Sequence, residues 1–235
     1  MFKKRKIVCF IFARGGSKGI KNKNIKKLNG IPLISHAINL AKKSKLIDEI
    51  VISTDSKKII NVCNKQNVTI PFVRPKKYSS DKASEFNAWR HAVEWYIKNK
   101  GNFDIFISLP TTSPLRILSD INKCIIALIE SDKADGVITV SKSKRNPFFN
   151  MVKLDNENYA SLVNISNNIY FRRQDCPEVF DISTVCYVMR PNFIIESSKI
   201  FDGNIIAIEI PSLRAIDIDN IDDFNYAEYL LKKKL

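Results

Sequence analysis

Short apolar runs rich in β-branched and aromatic residues recur along the chain, and most are separated by segments whose apolar positions fall at helical spacing. The runs are Ile7 to Ala13, Glu49 to Ser53, Thr69 to Val73, Asp104 to Leu109, Gly136 to Val140, Val185 to Met189 and Ile205 to Ile210. Most are continuous rather than alternating, as strands buried on both faces are. Helical patterns fill Pro32 to Ser44, Lys57 to Gln66, Glu85 to Lys98, Leu118 to Ser131 and about Ile221 to Lys233. Repeated strand–helix units predict an α/β fold with a doubly wound, mostly parallel sheet.

The rhythm breaks between Ser141 and Ile182, where Arg145, Asn146, Pro147, Asn156, Asn158 and Asn164 to Asn168 interrupt any steady period. A segment of this length without regular patterning reads as an excursion from the sheet rather than as one loop. The expected organisation is a single domain over 1–235 with an inserted arm at about 141–182, without internal repeats.

Composition narrows the class. At 235 residues the chain suits one core, which grows to roughly 250 residues before splitting. Hydrophobic residues at 45% and charged residues at 26% exclude a disordered chain. Cys9, Cys63, Cys124, Cys176 and Cys186 are odd in number, scattered and without a C-x-x-C pair, which fits neither a disulfide framework nor a zinc site. Met1 to Lys6 is basic like the start of a signal peptide, but the apolar run behind it is closed by Arg14, Gly15 and Gly16 and no small-residue cleavage site follows. No stretch approaches the roughly 20 apolar residues of a membrane span, so a cytoplasmic protein is expected. Lys+Arg at 38 against Asp+Glu at 24 give a formal charge of +14, which suits nucleic acid, an anionic membrane or a small anionic ligand. The positions of the charges have to decide.

The strongest local signal is Ala13-Arg14-Gly15-Gly16-Ser17-Lys18-Gly19, directly after the first apolar run, followed by Lys21-Asn22-Lys23-Asn24. Glycines let a backbone turn its N–H groups toward an anion, and the flanking cations neutralise it. The segment is neither a P-loop, since Lys18 is followed by Gly19, nor a dinucleotide fingerprint, since Gly15 and Gly16 are adjacent. Its place at the carboxyl end of the first strand, where open α/β sheets bind ligands, favours a triphosphate cradle over a solvated turn.

Other strand ends carry polar groups too. Asp55 or Ser56 stands just before a helical pattern and reads as its cap; Asp81 and Ser84 could be caps of the next one. Leu109 to Arg116 offers hydroxyls suited to a polyol, stiffened by Pro110 and Pro114. Asp217 and Asp219, at i and i+2 of an extended segment, share a face and can converge on one hard cation with Ile216 and Ile218 turned away; Asp219 or Asn220 could instead cap the last helix. Asp222 and Asp223 belong to its first turn. His36 and His91 sit inside helices without a partner for base chemistry, and Trp89, Trp95 and Tyr96 read as core.

The block ARGGSKGIKNKNIKKLNGIPL, Ala13 to Leu33, resembles the first signature of the acylneuraminate (nonulosonate) cytidylyltransferases, the CMP-sialic acid synthetase family, and the similarity runs along nearly the whole chain. Arg74-Pro75 and the loop after it are similar to that family's R-P-x-x-L-(A/S)-x-D-x-(A/S), Leu109 to Arg116 to L-Q-P-T-S-P-L-R, Arg172 to Pro177 to R-Q-x-x-P, Ser183 to Tyr187 to N-G-A-I-Y, and Asp217-Ile218-Asp219 to its D-x-D. The resemblance implies a Rossmann-like nucleotidyltransferase that joins CTP to a nine-carbon acidic sugar, with Mg²⁺ on Asp217 and Asp219 and a homodimer built through the arm. It implies nucleotide contacts from Ala13, Arg14, Gly15, Ser17, Lys23, Asn24, Arg74 and Ser84. Catalytic roles fall to Lys23 at the reacting phosphate, Arg14 and Asp217. Contacts to the acid fall to Thr111, Thr112, Ser113, Arg116, Arg173, Gln174 and Tyr187.

The chain departs from the pattern at Pro110, where the family has Gln, and at Thr111, where it has Pro; a proline cannot donate the hydrogen bond a glutamine would. Pro110 and Ser183 are therefore the positions where the identity of the acid is expected to be read. An eight-carbon acid or a sugar phosphate is the nearest alternative substrate, and a basic nucleic-acid-binding module is the alternative of a different class. Arg14, Lys18, Lys21, Lys23, Lys26 and Lys27 crowd one loop and its flank, while Lys3 to Lys6 and Lys232 to Lys234 read as solvated tails. That focus favours a nucleotide pocket, with neither nucleic acid nor membrane as a partner.

Overall fold

The structure is a computed structural model that describes residues 1–80, 83–166 and 168–233. Its strands are β1 (Ile7–Phe12), β2 (Lys27–Leu28), β3 (Ile31–Pro32), β4 (Glu49–Ser53), β5 (Ile105–Ser108), β6 (Gly136–Lys142), β7 (Val152–Leu154), β8 (Ala160–Leu162), β9 (Phe180–Met189) and β10 (Ile205–Glu209). Its helices are α1 (Leu33–Lys43), α2 (Lys57–Asn64), α3 (Glu85–Lys100), α4 (Leu118–Glu130), α5 (Pro191–Glu196) and α6 (Ile221–Lys233). A six-stranded sheet in the order β10-β6-β9-β5-β1-β4 forms the centre, with β2–β3 and β7–β8 as separate two-stranded pairs. β1 pairs in parallel with β4 and β5, and β10 with β6, whereas β9 runs antiparallel to both of its neighbours.

The continuity of the apolar runs is explained by burial on both faces. In β1, Ile7, Cys9 and Ile11 face α1, α2 and α4, while Val8 and Phe10 face α3 and α5. The α3 side is aromatic: Phe10 stacks on Phe106 with ring centroids 5.0 Å apart, and Trp89 lies 5.4 Å from Phe106 and 5.1 Å from Tyr187. Such pairs add to the burial of their area. Trp89 and Tyr96 are core as the periodicity implied, but Trp95 is only partly buried at its edge. Cys9 is fully buried, and burial pushes its thiol up to about 12, so it packs as a small hydrophobe.

One expected strand is absent. Thr69 to Val73 makes only isolated parallel bridges, Val51 with Thr69 and Thr54 with Val73. Pro71 lies between them and has no N–H to donate, so the segment touches the sheet edge at its two ends without forming a ladder. Two features went unread: the hairpin β2–β3 and the short helix α5, which starts on Pro191.

β9 is longer than its apolar core, Val185 to Met189, suggests. Its pairing with β6 jumps from Ile138↔Tyr187 to Thr139↔Ser183, so Thr184, Val185 and Cys186 are extra residues on the β9 side. Thr139 pins this bulge: its hydroxyl donates to Ser183 O at 3.0 Å and accepts from the Cys186 N–H at 3.2 Å and the Ser183 hydroxyl at 2.9 Å. Between β6 and β9 the chain leaves the sheet, and within this arm β7 and β8 form an exposed hairpin.

Thr139→Val keeps the shape but leaves the Ser183 hydroxyl and the Cys186 N–H buried without partners. We expect a loss of about 2 kcal/mol in unfolding free energy, measured as a lower urea midpoint at unchanged m-value.

Candidate active site

The carboxyl ends of β1 and β5 open on a cleft of about 450 Å³ lined by Arg14, Ser17, Lys18, Gly19, Lys23 and Asn24 on one side and by Arg74, Ser80, Ala83 and Glu85 on another, with Thr111, Thr112, Thr184, Asp217 and Asp219 between them. The glycine loop leaves β1 after Ala13, whose N–H still donates to Ser53 O at 3.0 Å. The next anchor is the Gly15 N–H, which donates to Asp55 Oδ1 at 2.8 Å. Asp55 is thus no helix cap: Ser56 takes the N-cap position of α2 and makes no capping bond through its side chain. Short-range capping rules favoured the local role, and the loop 40 residues upstream took the carboxylate instead.

Gly19 fixes how close the loop comes to the acidic segment. A Cβ there would lie 2.1 Å from Asp219 O, well inside contact distance, so any side chain would push the two apart. Lys23 crosses the same seam, donating from Nζ to Ile218 O at 2.6 Å and standing 3.4 Å from Asp219 Oδ1. Asn24, itself buried, donates through Nδ2 to Arg14 O at 2.9 Å and accepts from the Thr111 hydroxyl. Arg14, Asn24 and Thr111 therefore hold one another in place.

The acidic pair lies where the i, i+2 argument put it, although the segment is not a strand of the sheet. Asp217 and Asp219 line the cleft while Ile218 is fully buried, and the Ile218 N–H donates to Thr112 O at 2.9 Å. The cap of α6 is Asn220: its Oδ1 accepts the N–H groups of Asp222 and Asp223 at 2.9 and 3.0 Å, and Asp223 Oδ2 returns a bond to the Asn220 N–H at 3.0 Å. The Asp219 carboxylate is spared that duty. Asp217 Oδ1 is buried without a hydrogen-bond partner among the described residues. A buried, unpaired carboxylate oxygen beside a second carboxylate suits a hard cation. Among the described residues no group of three or more His, Cys, Asp or Glu side chains converges on a metal. A Mg²⁺ here would complete its shell with water and phosphate oxygens.

Arg74 is buried on the facing wall, with Nε donating to Ser79 Oγ at 3.1 Å. Burial lowers its pKa, opposed chiefly by the Asp55 carboxylate. Glu85, at the start of α3, opens on the cleft. The residue is exposed at the cleft rim rather than sunk in its floor. Sequence reasoning passed over Glu85 because an acid in a first helical turn is ordinary.

Other expected contacts lie elsewhere. Arg116 is buried behind the strand-end loop, donating to Ser113 O at 2.7 Å and to Pro110 O, and so braces the loop from the rear. Burial lowers its pKa to about 10. Ser113 is fully buried and bonds to Thr184 at 2.6 Å. Tyr187 lies under the cleft against Trp89, and burial raises its hydroxyl pKa. Ser183 is turned inward onto Thr139; the β9 residue that reaches the cleft is Thr184. Arg173 and Gln174 line a separate cavity of about 540 Å³ at the base of the arm, where Arg173 donates to Ser143 O and Lys144 O at 2.8 and 2.9 Å. Ser84 is exposed at the N-cap position of α3, outside the cleft lining. Asp81 lies outside the described residues. Of the less certain lysines, Lys18 lines the cleft, whereas Lys21, Lys26 and Lys27 do not; Lys26 lies over the Phe224 ring instead.

The Cytidylyltransferase family profile matches residues 8–234. The chain is 34% identical over 231 residues to the CMP-N,N'-diacetyllegionaminic acid synthase of Campylobacter jejuni, covering 97% of this chain and 96% of that one. It is 30% identical over 227 residues to the pseudaminic acid cytidylyltransferase of the same species, covering 97% of each. Among solved structures, the CMP:2-keto-3-deoxy-manno-octonic acid synthetase complexed with CTP superposes with a TM-score of 0.73 over 98% of this chain and all of that one, at 17% identity, which establishes a shared fold.

Gly19→Ala is expected to separate the loop from the acidic segment. Calorimetric titration should show CTP binding weakened by about tenfold or more, equivalent to roughly 1.4 kcal/mol, with an unchanged far-ultraviolet circular dichroism spectrum.

Proposed function

The chain belongs to the cytidylyltransferase family, and on that premise we propose that it transfers the cytidylyl group of CTP to a nine-carbon 2-keto-3-deoxy acid of the sialic, legionaminic or pseudaminic kind. The products are the CMP-sugar, destined for surface glycans, and pyrophosphate. The observation that carries this reading is the meeting of the glycine loop and the Asp217/Asp219 pair across Lys23 in one cleft. Both curated relatives described above are named for acids of this kind. The reaction consumes CTP, and we assign it to the cytoplasm.

In this mechanism the anomeric hydroxyl of the acid attacks the α-phosphorus and pyrophosphate leaves. Arg14, Ser17 and the loop N–H groups beyond Gly15 hold the triphosphate, and Lys23 places a fixed ammonium where negative charge builds. The ion pair with Asp219 and the bond to Ile218 O keep that ammonium from swinging away. Asn24 and Thr111 set the position of Arg14. Asp217 and Asp219 are the residues that would hold Mg²⁺, which when bound supplies Lewis-acid neutralisation of phosphate charge. Thr112 stands beside them to position the acid.

The arm supports a homodimer. Its Ile165, Ile169 and Phe171 are 85%, 80% and 83% exposed, large apolar side chains that a partner subunit would cover. Replacing Ile169 and Phe171 together by aspartate is expected to shift sedimentation from dimer to monomer; a wild-type monomer at micromolar concentration would argue against this interface.

The activity is tested by pyrophosphate release with each nucleoside triphosphate and Mg²⁺ across a panel of eight- and nine-carbon acids. Release is expected with CTP and a nine-carbon acid. Lys23→Ala should lower turnover about 100-fold or more, near 3 kcal/mol of transition-state stabilisation, and near wild-type turnover in the folded variant would remove Lys23 from the mechanism.

A further inference from the structure

The bulge in β9 does more than kink a strand: it delivers Thr184 to the cleft. A regular ladder would pair Thr139 with Cys186; the register shift instead sets Ser183 opposite Thr139 and leaves Thr184 free of the ladder. Thr184 then lines the cleft, as do Pro110 and Thr112. The phosphate loop is tied to Thr111 through Asn24, and the next residue, Thr112, is tied to the acidic segment through Ile218. Thr184 joins that wall through its bond to Ser113, the residue after Thr112.

The direction of its hydrogen bond follows from burial. Ser113 Oγ and Thr184 Oγ1 are 2.6 Å apart, and either could donate. Ser113 is fully buried, and this is the one hydrogen bond its hydroxyl makes among the described residues. Were Thr184 to donate, the Ser113 proton would be buried without an acceptor, which is unfavourable. Ser113 therefore donates, and the Thr184 hydroxyl keeps its own proton for a ligand in the cleft. Pro110, which is apolar, lines the same cleft as Thr184, whose own methyl group adds to the apolar surface there.

Resting on the reading of the cleft given above, we propose that Thr184, oriented by Ser113, is a specificity-determining residue that donates to the carbonyl oxygen of an acylamino substituent on the acidic sugar, while Pro110 packs against the acyl methyl group. An acylamino group matches the site in both respects, since its carbonyl accepts and its methyl is apolar. A free amine at that position would bring a charged donor against a donor.

The test compares kcat/KM, by pyrophosphate release with CTP and Mg²⁺, for an N-acylated nine-carbon acid and for the same acid bearing a free hydroxyl or amine in place of the acylamino group. Thr184→Val keeps the shape and removes the proton; it should lower the preference for the acylated acid about tenfold. Thr184→Ser keeps the donor and should retain that preference, and Thr184→Ala provides a second loss variant should the valine fit poorly. An unchanged preference in both loss variants, with turnover intact, would overturn the role of Thr184 alone. Failure of the wild-type protein to release pyrophosphate from CTP with any acid would overturn the cytidylyl-transfer reading, and this assignment with it.

Discussion

The site depends on the contact between the glycine loop and the segment around Asp219. Two chain regions about 200 residues apart meet there backbone against backbone, close enough that Gly19 has no room for a single added carbon. One region brings cations and N–H groups; the other brings carboxylates. Apart, each would be an ordinary polar loop. Together they form a cleft in which opposite charges are fixed before any ligand arrives, so little reorganisation is left for the moment of reaction. The packing of Ile20 and Leu28 with Ile218, Phe224 and Ala227 stabilises that contact from below.

Much of this was legible from the chain alone, and the failures have physical causes. Strands buried on both faces announce themselves by continuous apolar runs, which is why β1, β5 and β6 stood out; β4 and β10, at the two edges of the sheet, are apolar in sequence but less buried. The same property hides direction: a run buried on both sides reads alike whichever way it lies, so the reversal of β9 left no trace in its residues. Thr69 to Val73 looked like a strand because its other residues are β-formers, and Pro71 decided against it. The acidic pair and the lysine of the loop were legible because their chemistry lies in side-chain type and short spacing. Asp55 was not, because its partner Gly15 is remote in sequence. Arg116 and Ser113 sit in a segment rich in hydroxyls and charge, and only the fold reveals that these two brace the loop rather than face the ligand.

The positive surplus takes on a different meaning in three dimensions. Lys23, Arg14, Arg74 and Lys18 meet on one cleft, yet Glu85, Asp217 and Asp219 share it. A surface built for a polyanionic strand would not bury a carboxylate oxygen among its cations. Mixed sign across a few ångströms suits a ligand that is itself divided, with a chain of phosphates at one end and a hydroxylated body at the other.

The position of β9 also bears on how the chain assembles. Because it lies between β5 and β6, which do not touch each other in the sheet order, the sheet is split until β9 arrives. A growing chain that has emerged only as far as β6 carries one half-sheet of β4, β1 and β5 and a solitary strand, each with an unpaired apolar edge. Insertion of β9 closes both edges in a single event, and only afterwards can β10 dock on β6. The segment that shapes the cleft is thus also the keystone of the sheet, and the nascent chain is open to association through those edges from the synthesis of β5 until that of β9.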